Sequence, residues 1–203
     1  VLLVAVTLAV AALSAAAFFA DRIERGLSRD AAQLLGGDAV VVSDQPLPDD
    51  FARRAQIAPL RTARTISFPS MARAPDEQGG EARLASIKAV SEAYPLRGQL
   101  TLGQPDAHGH VQTTASAPAG GPRAGEAWVD PGLLLALNLK TGDALWLGEA
   151  SFRISAVIVN EPDRGSGFSS FSPRVLIRAA DLPVTELIQP ASRVTYRLLV
   201  AGP

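Results

Sequence analysis

The sequence predicts an α+β domain carried on a long N-terminal helix that begins inside a membrane. Three observations predict it. Val1–Ala20 contains no charged residue and only two polar ones, Thr7 and Ser14. An apolar stripe at helical spacing then runs on to Leu35 and stops at Gly36-Gly37. Beyond it, short β-branched or alternating runs are interspersed with brief helical segments, and no long strand–helix–strand series occurs. Patterns mixed in that way build α+β domains.

At 1.5 Å per residue, Val1–Ala20 as a helix reaches about 30 Å, the thickness of a bilayer's hydrocarbon core. A continuous helix also satisfies its own backbone polar groups there. A cleaved signal peptide is the competing reading, because Ala15 and Ala17 offer a small-residue cleavage site. However, no basic leader precedes the run, and a helical pattern follows it. Residues 1–20 are therefore assigned as a retained transmembrane helix, truncated at its N-terminus, and residues 21–37 as a stalk. With no initiator Met, the sequence is expected to be an excerpt from a longer polypeptide.

In the stalk, Ile23, Leu27, Leu34 and Leu35 share one face with Ala31, while Asp21, Arg22, Glu24, Arg25, Arg29 and Asp30 occupy the other. Asp21 and Arg25 stand at i,i+4, where opposite charges support a helix. Ile23, Leu27 and Leu34 are the expected coupling residues, packing against a neighbouring helix.

Residues 38–203 form the predicted globular part. Asp38–Ser43 reads as a short buried strand from its β-branched run. Pro48-Asp49-Asp50 begins a helix through Gln56, with acids in the first turn where the helix dipole favours them. One or two strands are predicted in Ile57–Met71, a turn at Pro75–Gly80, and a strand over Arg83–Val90. Gly103–Gly125 holds five Gly and three Pro in 23 residues and is expected to be a flexible loop or a long hairpin tip. Order returns with a strand at Glu126–Val129. Asp130 then caps a helix through Leu139, with Pro131 at its first position. A hairpin over Ala144–Leu147 and Phe152–Val159 follows. Arg174–Ile177 is a strand, Ala180–Ile188 a short helix and Arg193–Val200 a last strand. The domain is expected to have two lobes, the middle one rich in strands.

Net charge is −1, and phosphate binding needs a concentrated basic surface, so a nucleic-acid partner is not expected. The absence of Cys excludes disulfides, thiolate zinc sites and cysteine nucleophiles. No phosphate-cradling Gly-x-x-x-x-Gly-Lys-Ser/Thr loop occurs, and no Gly-x-Ser-x-Gly elbow. His108 and His110, beside Asp106, are the one pair with metal-ligand chemistry. A Gly/Pro-rich loop gives them neither a rigid third ligand nor support, so they read as solvated histidines. No catalytic residue, cofactor site or metal site is assigned. Glu161, Asp163 and Arg164, followed by Phe168 and Phe171 in a Gly/Ser-rich loop, are the candidate contact surface for a partner or an apolar ligand. The bland alternative is that the phenylalanines tuck under the loop and the charges cap each other.

The ordered motifs carry a resemblance. They are Phe18-Phe19-Ala20-Asp21-Arg22-Ile23-Glu24-Arg25, Leu35-Gly36-Gly37-Asp38, Tyr94-Pro95-Leu96-Arg97-Gly98, Gly125-Glu126-Ala127-Trp128-Val129-Asp130, Glu161-Pro162-Asp163-Arg164-Gly165, Ser172-Pro173-Arg174-Val175-Leu176 and Leu187–Val194. Together they resemble the first transmembrane helix and first extracytoplasmic domain of bacterial ABC transporter permeases of the FtsX-like, MacB-type family, in its YbbP-like group. Ala191 stands where that family has a Gly, which affects local turn geometry only. The resemblance implies a periplasmic MacB-like domain, with a porter-like α+β lobe and an inserted β-rich lobe, on a permease of the bacterial inner membrane. It also implies a separate cytoplasmic ABC ATPase subunit, the remaining transmembrane helices of the same permease, and room for a periplasmic partner protein. The expected role is mechanotransmission, moving or extracting an apolar or lipid-like molecule. An FtsX-like regulator of a cell-envelope enzyme is the alternative.

Overall fold

The computed structural model describes residues 2–105, 111–118, 120–164 and 171–202. Helix α1 spans Leu2–Leu35 without interruption, and it alone among the described residues is long and apolar enough to cross a membrane. Within the apolar part, Thr7 donates its hydroxyl to the carbonyls of Leu3 and Val4, each at 2.9 Å, so that its polar group is satisfied inside the helix. The Asp21–Arg25 pair forms at 3.0 Å on the exposed face.

Among the described residues ten strands and two further α-helices follow: β1 (Ala39–Ser43), α2 (Asp49–Ile57), β2 (Arg61–Arg73), β3 (Ala82–Val90), β4 (Thr101–Pro105), β5 (Val111–Ser116), β6 (Glu126–Val129), α3 (Pro131–Leu137), β7 (Ala144–Leu147), β8 (Ala150–Asn160), β9 (Arg174–Arg178) and β10 (Thr195–Ala201). The strands join in one mixed sheet, ordered β1-β10-β2-β3-β9-β6-β8-β4-β5. β3–β9 and β6–β8 are parallel pairs and the other pairs are antiparallel. The architecture is α+β, as predicted, and the strand-dense middle shares its sheet with the flanks.

β7 pairs with both β2 and β8. The path β2-β3-β9-β6-β8-β7 therefore closes on itself, which removes free edges from the centre of the fold. Its interior is the larger core, built by the period-2 alternation of each strand: Ala85, Ile87 and Ala89 from β3, Val175 and Ile177 from β9, Leu145 and Leu147 from β7, and Phe152 and Ile154 from β8. Leu133, Leu134 and Leu137 of α3 pack into the same core. Burying each such side chain contributes about 1.5–3 kcal/mol. The opposite sheet face carries a second cluster that includes Val90, Tyr94, Leu96, Leu100, Trp128, Leu176 and Leu199.

Several local expectations change. β1 is an edge strand and only partly buried, because among the described residues β10 is its one strand partner; its β-branched run reflects strand propensity, not depth. Gly103–Gly125, expected as a flexible loop or a hairpin tip, contains strand: β4 and β5 pair antiparallel across it, and residues 106–110 lie outside the described residues. His108 and His110 lie outside the described residues. α3 is capped as predicted, the Asp130 carboxylate accepting from the Gly132 amide at 2.9 Å. It stops at Leu137 because Asn138 turns left-handed. The helix expected over Ala180–Ile188 resolves into two 3-10 turns, Ala179–Asp181 and Pro183–Thr185. Pro183 lacks the N–H that a continuing helix requires.

Candidate functional site

Lys88 is the centre of the most unusual constellation in the domain. It lies on β3, and its side chain is 2% exposed. Alternation places Ser86, Lys88 and Val90 on the face opposite the closed core. The β3–β9 register sets Ser86 beside Arg174 and Lys88 beside Leu176. A buried ammonium without a counter-charge would cost several kcal/mol, and the surrounding turns supply two carboxylates. Lys88 Nζ donates to Glu161 Oε1 at 2.7 Å, to Asp163 Oδ1 at 2.7 Å and to Tyr94 Oη at 2.9 Å. Tyr94 in turn donates its hydroxyl to Asp163 Oδ1.

A second cation completes the balance. Arg174 donates from Nε to Glu161 Oε2 at 3.0 Å, from Nη1 to Ser86 Oγ at 2.6 Å and from Nη2 to the Arg164 carbonyl at 3.0 Å. Arg164 donates from Nη2 to Asp130 Oδ2 at 2.8 Å, which ties the network to the N-terminus of α3. Lys88 and Arg174 thus face Glu161 and Asp163, two charges of each sign.

The protonation states follow from this balance. Burial pushes the Glu161 carboxyl up, but Lys88 and Arg174 outweigh it and hold it below its usual 4.5. Burial, reinforced by Asp163 and Glu161, pushes the Tyr94 hydroxyl well above 10.0. A depressed carboxylate stabilises the fold above its unfolded value and loses that contribution as pH falls. A raised phenol contributes below its unfolded value and loses it as pH rises. Stability should therefore decline below pH 4.5 through Glu161 and above pH 10.0 through Tyr94. Thermal unfolding across pH should show Tyr94→Phe with a shallower alkaline decline than the parent. Parallel alkaline limbs would contradict it.

The foot of α1 rests on the same cluster. Gly36 ends the helix at φ +73°, and its carbonyl accepts from the Leu96 and Arg97 amides at 3.1 and 3.0 Å. A Cβ there would come within 3.3 Å of the Asp163 side chain. Gly98 is equally constrained: its missing Cβ would lie 2.6 Å from Pro162 and 3.0 Å from the Gln33 carbonyl. The helix end is thus seated on two turns, Tyr94–Gly98 and Glu161–Asp163. A 570 Å³ cleft opens beside it, between Gln33 and Leu34 on one side and Gln99, Thr101, Asn160 and Pro162 on the other.

Asp38 fixes the first residue beyond the joint. It accepts from Arg97 Nε and Nη2 at 2.8 and 2.9 Å and from the Gly202 amide at 2.9 Å. The hydrogen bonds from Arg97, and then that from Gly202, lower the pKa of its carboxyl. One arginine therefore pins both strands β1 and β10 where they meet the stalk.

The residues predicted as a contact surface separate. Glu161 and Asp163 are interior groups, 5% and 3% exposed, and are not available to a partner; Lys88 and Arg174 draw them inward. Arg164 is half-buried against Asp130. Phe171 is 87% exposed, and Phe168 lies outside the described residues. Ile23, Leu27 and Leu34 are exposed along α1. No local sequence pattern marks Lys88, Tyr94 and Arg174 as a site. The available signal was Lys88 itself, one of two lysines in the chain, interrupting the apolar run Ala85–Val90.

Comparison with known proteins bears out the resemblance read from the sequence. No protein-family model matches the chain. It is 33% identical over 198 residues to the uncharacterized ABC transporter permease YbbP of Escherichia coli (strain K12), which covers 98% of this chain. The chain spans 22% of that permease's length. Among solved structures it is similar to the periplasmic region of MacB from Actinobacillus actinomycetemcomitans. That match has a TM-score of 0.47 at 9% identity and covers 84% of this chain and 78% of the other.

Proposed function

From its similarity along almost its whole length to an ABC transporter permease, we propose that this chain is the transmembrane helix, stalk and periplasmic domain of a mechanotransmission permease. The observation that carries the reading is α1. One helix, with no proline between Leu2 and Leu35, runs from the apolar segment to the foot of the sheet. A continuous helix conveys displacement along its axis, whereas a flexible joint would dissipate it.

In this reading the helix lies in the bacterial inner membrane and the domain faces the periplasm. ATP is hydrolysed by a separate cytoplasmic subunit. Ile23, Leu27 and Leu34 pack against another helix of the same permease, and their exposure in this chain supports that role. The cargo is apolar or lipid-like. Exposed Phe171, with Phe168, keeps the contact role for cargo or a periplasmic partner.

The tether is tested by fractionation. The full-length protein should stay in the membrane pellet through carbonate and high-salt washes. Recovery of a soluble periplasmic form starting near Phe18 would refute a retained helix.

A further inference from the structure

The seat of the stalk and the buried charges are adjacent, and their adjacency is specific. Each of the two turns that touch the helix end is rooted in the cluster. Tyr94 opens the turn whose Leu96 and Arg97 amides hold the Gly36 carbonyl, and its hydroxyl bonds Lys88 and Asp163. Asp163 lies directly under Gly36, and its Oδ1 bonds Lys88. Its Oδ2 is buried and has no hydrogen-bond partner among the described residues. Lys88, from the middle of β3, bonds a side chain of each turn and so reinforces the direct Tyr94–Asp163 link between them.

We propose that Lys88, Tyr94 and Asp163 form the joint that seats the stalk, holding the two turns in the one spacing that accepts Gly36. The proposal goes beyond the permease reading in assigning positioning residues, and it rests on that reading only for its consequence in transport. Two features make such a joint stiff. Charge-assisted bonds in a dry interior lose energy steeply with displacement, and Gly36 and Gly98 leave no side-chain cushion between helix and turns. Lifting the helix end would wet Asp163 Oδ2, so the seated state is the one that keeps the cluster dry. The cleft beside Gln33 and Leu34 leaves the helix end unsupported on that flank, which makes the two turns its principal hold.

The test is hydrogen exchange on the full-length permease in lipid nanodiscs, without nucleotide, comparing the parent with Tyr94→Phe. The variant removes one hydroxyl that bonds Lys88 and Asp163 without touching the stalk helix itself, and keeps the ring in the core. The Leu96 and Arg97 amides, which report on seating, should exchange on the order of tenfold faster, the usual consequence of losing a buried bond to a charged group. Ile87, Ala89 and Val175, in the closed core, should be unchanged. Equal exchange at Leu96 and Arg97 overturns the proposal, and so does a uniform rise across the sheet, which would show general destabilisation. Gly36→Ala provides an independent arm, wedging the joint from the stalk side while the charges stay intact. It should accelerate the same two amides, and failure to do so also counts against the joint. Stimulated ATPase activity of the complex separates the two ideas. If exchange rises while stimulation is intact, the joint stands and the mechanotransmission reading falls.

Discussion

On the permease reading, Leu27→Pro should leave the domain folded and remove transport-coupled stimulation of the ATPase subunit which that reading implies. Leu27 lies in the middle of the stalk, eight residues before α1 ends at Leu35. Proline there deletes one backbone hydrogen bond and drives its ring against the preceding turn, at a local cost of about 3 kcal/mol. That corresponds to roughly a hundredfold shift from the straight helix toward kinked or broken forms. The sheet does not share the cost, because its cores are built from residues beyond the stalk. The measurement is ATP hydrolysis by the reconstituted complex, with and without cargo, alongside thermal unfolding of the same variant. Stimulation should fall to the unstimulated rate while the unfolding midpoint stays within a few degrees of the parent. Intact stimulation in a folded variant would reduce the stalk to a tether.

Lys88→Met should be the most destabilising single substitution in the domain. Methionine fits the volume of the lysine stem but leaves Glu161 and Asp163 with one cation, Arg174, which reaches only Glu161. Removing one partner of a buried ion pair costs about 3–5 kcal/mol, which for a chain of this length lowers the unfolding midpoint by about 10 °C or more. Combining Lys88→Met with Asp163→Asn restores charge balance and should recover part of that loss, a non-additivity expected of groups in one network. By contrast, the exposed Arg25–Asp21 pair should contribute less than about 1 kcal/mol. Thermal unfolding followed by the fluorescence of Trp128 and Trp146 distinguishes these cases. A midpoint for Lys88→Met within 3 °C of the parent, about 1 kcal/mol at this size, would mean that water reaches the cluster and the charges are not interior.

How much of the molecule its sequence discloses depends on the range of the interactions involved. The apolar span, the stalk stripe and its stop at Gly36-Gly37 were legible because helix formation is decided within a few turns. So were the Asp130-Pro131 start of α3 and the β7–β8 hairpin, each governed by neighbours two to four residues away. The limits of local reading were equally physical. Ala180–Ile188 has helical composition, but Pro183 breaks it into two turns. β1 looks buried by residue type and is only partly buried by position, since only the sheet order places it at an edge.

The site was legible in one half only. Glu161-Pro162-Asp163-Arg164 stood out as a charged segment after a strand, and its surface setting suggested a contact role. Its actual partner, Lys88, lies 73 residues away along the chain, on a strand whose apolar run gave no hint of counter-charges. By itself the sequence determined the helix, its continuity, the α+β class and the absence of a nucleotide-binding loop. Only the tertiary structure decided that the charges turn inward and that the stalk is seated over them. Whether a carboxylate faces water or a buried ammonium depends on contacts between distant strands, and the energy that selects between those outcomes exists only once the sheet has closed.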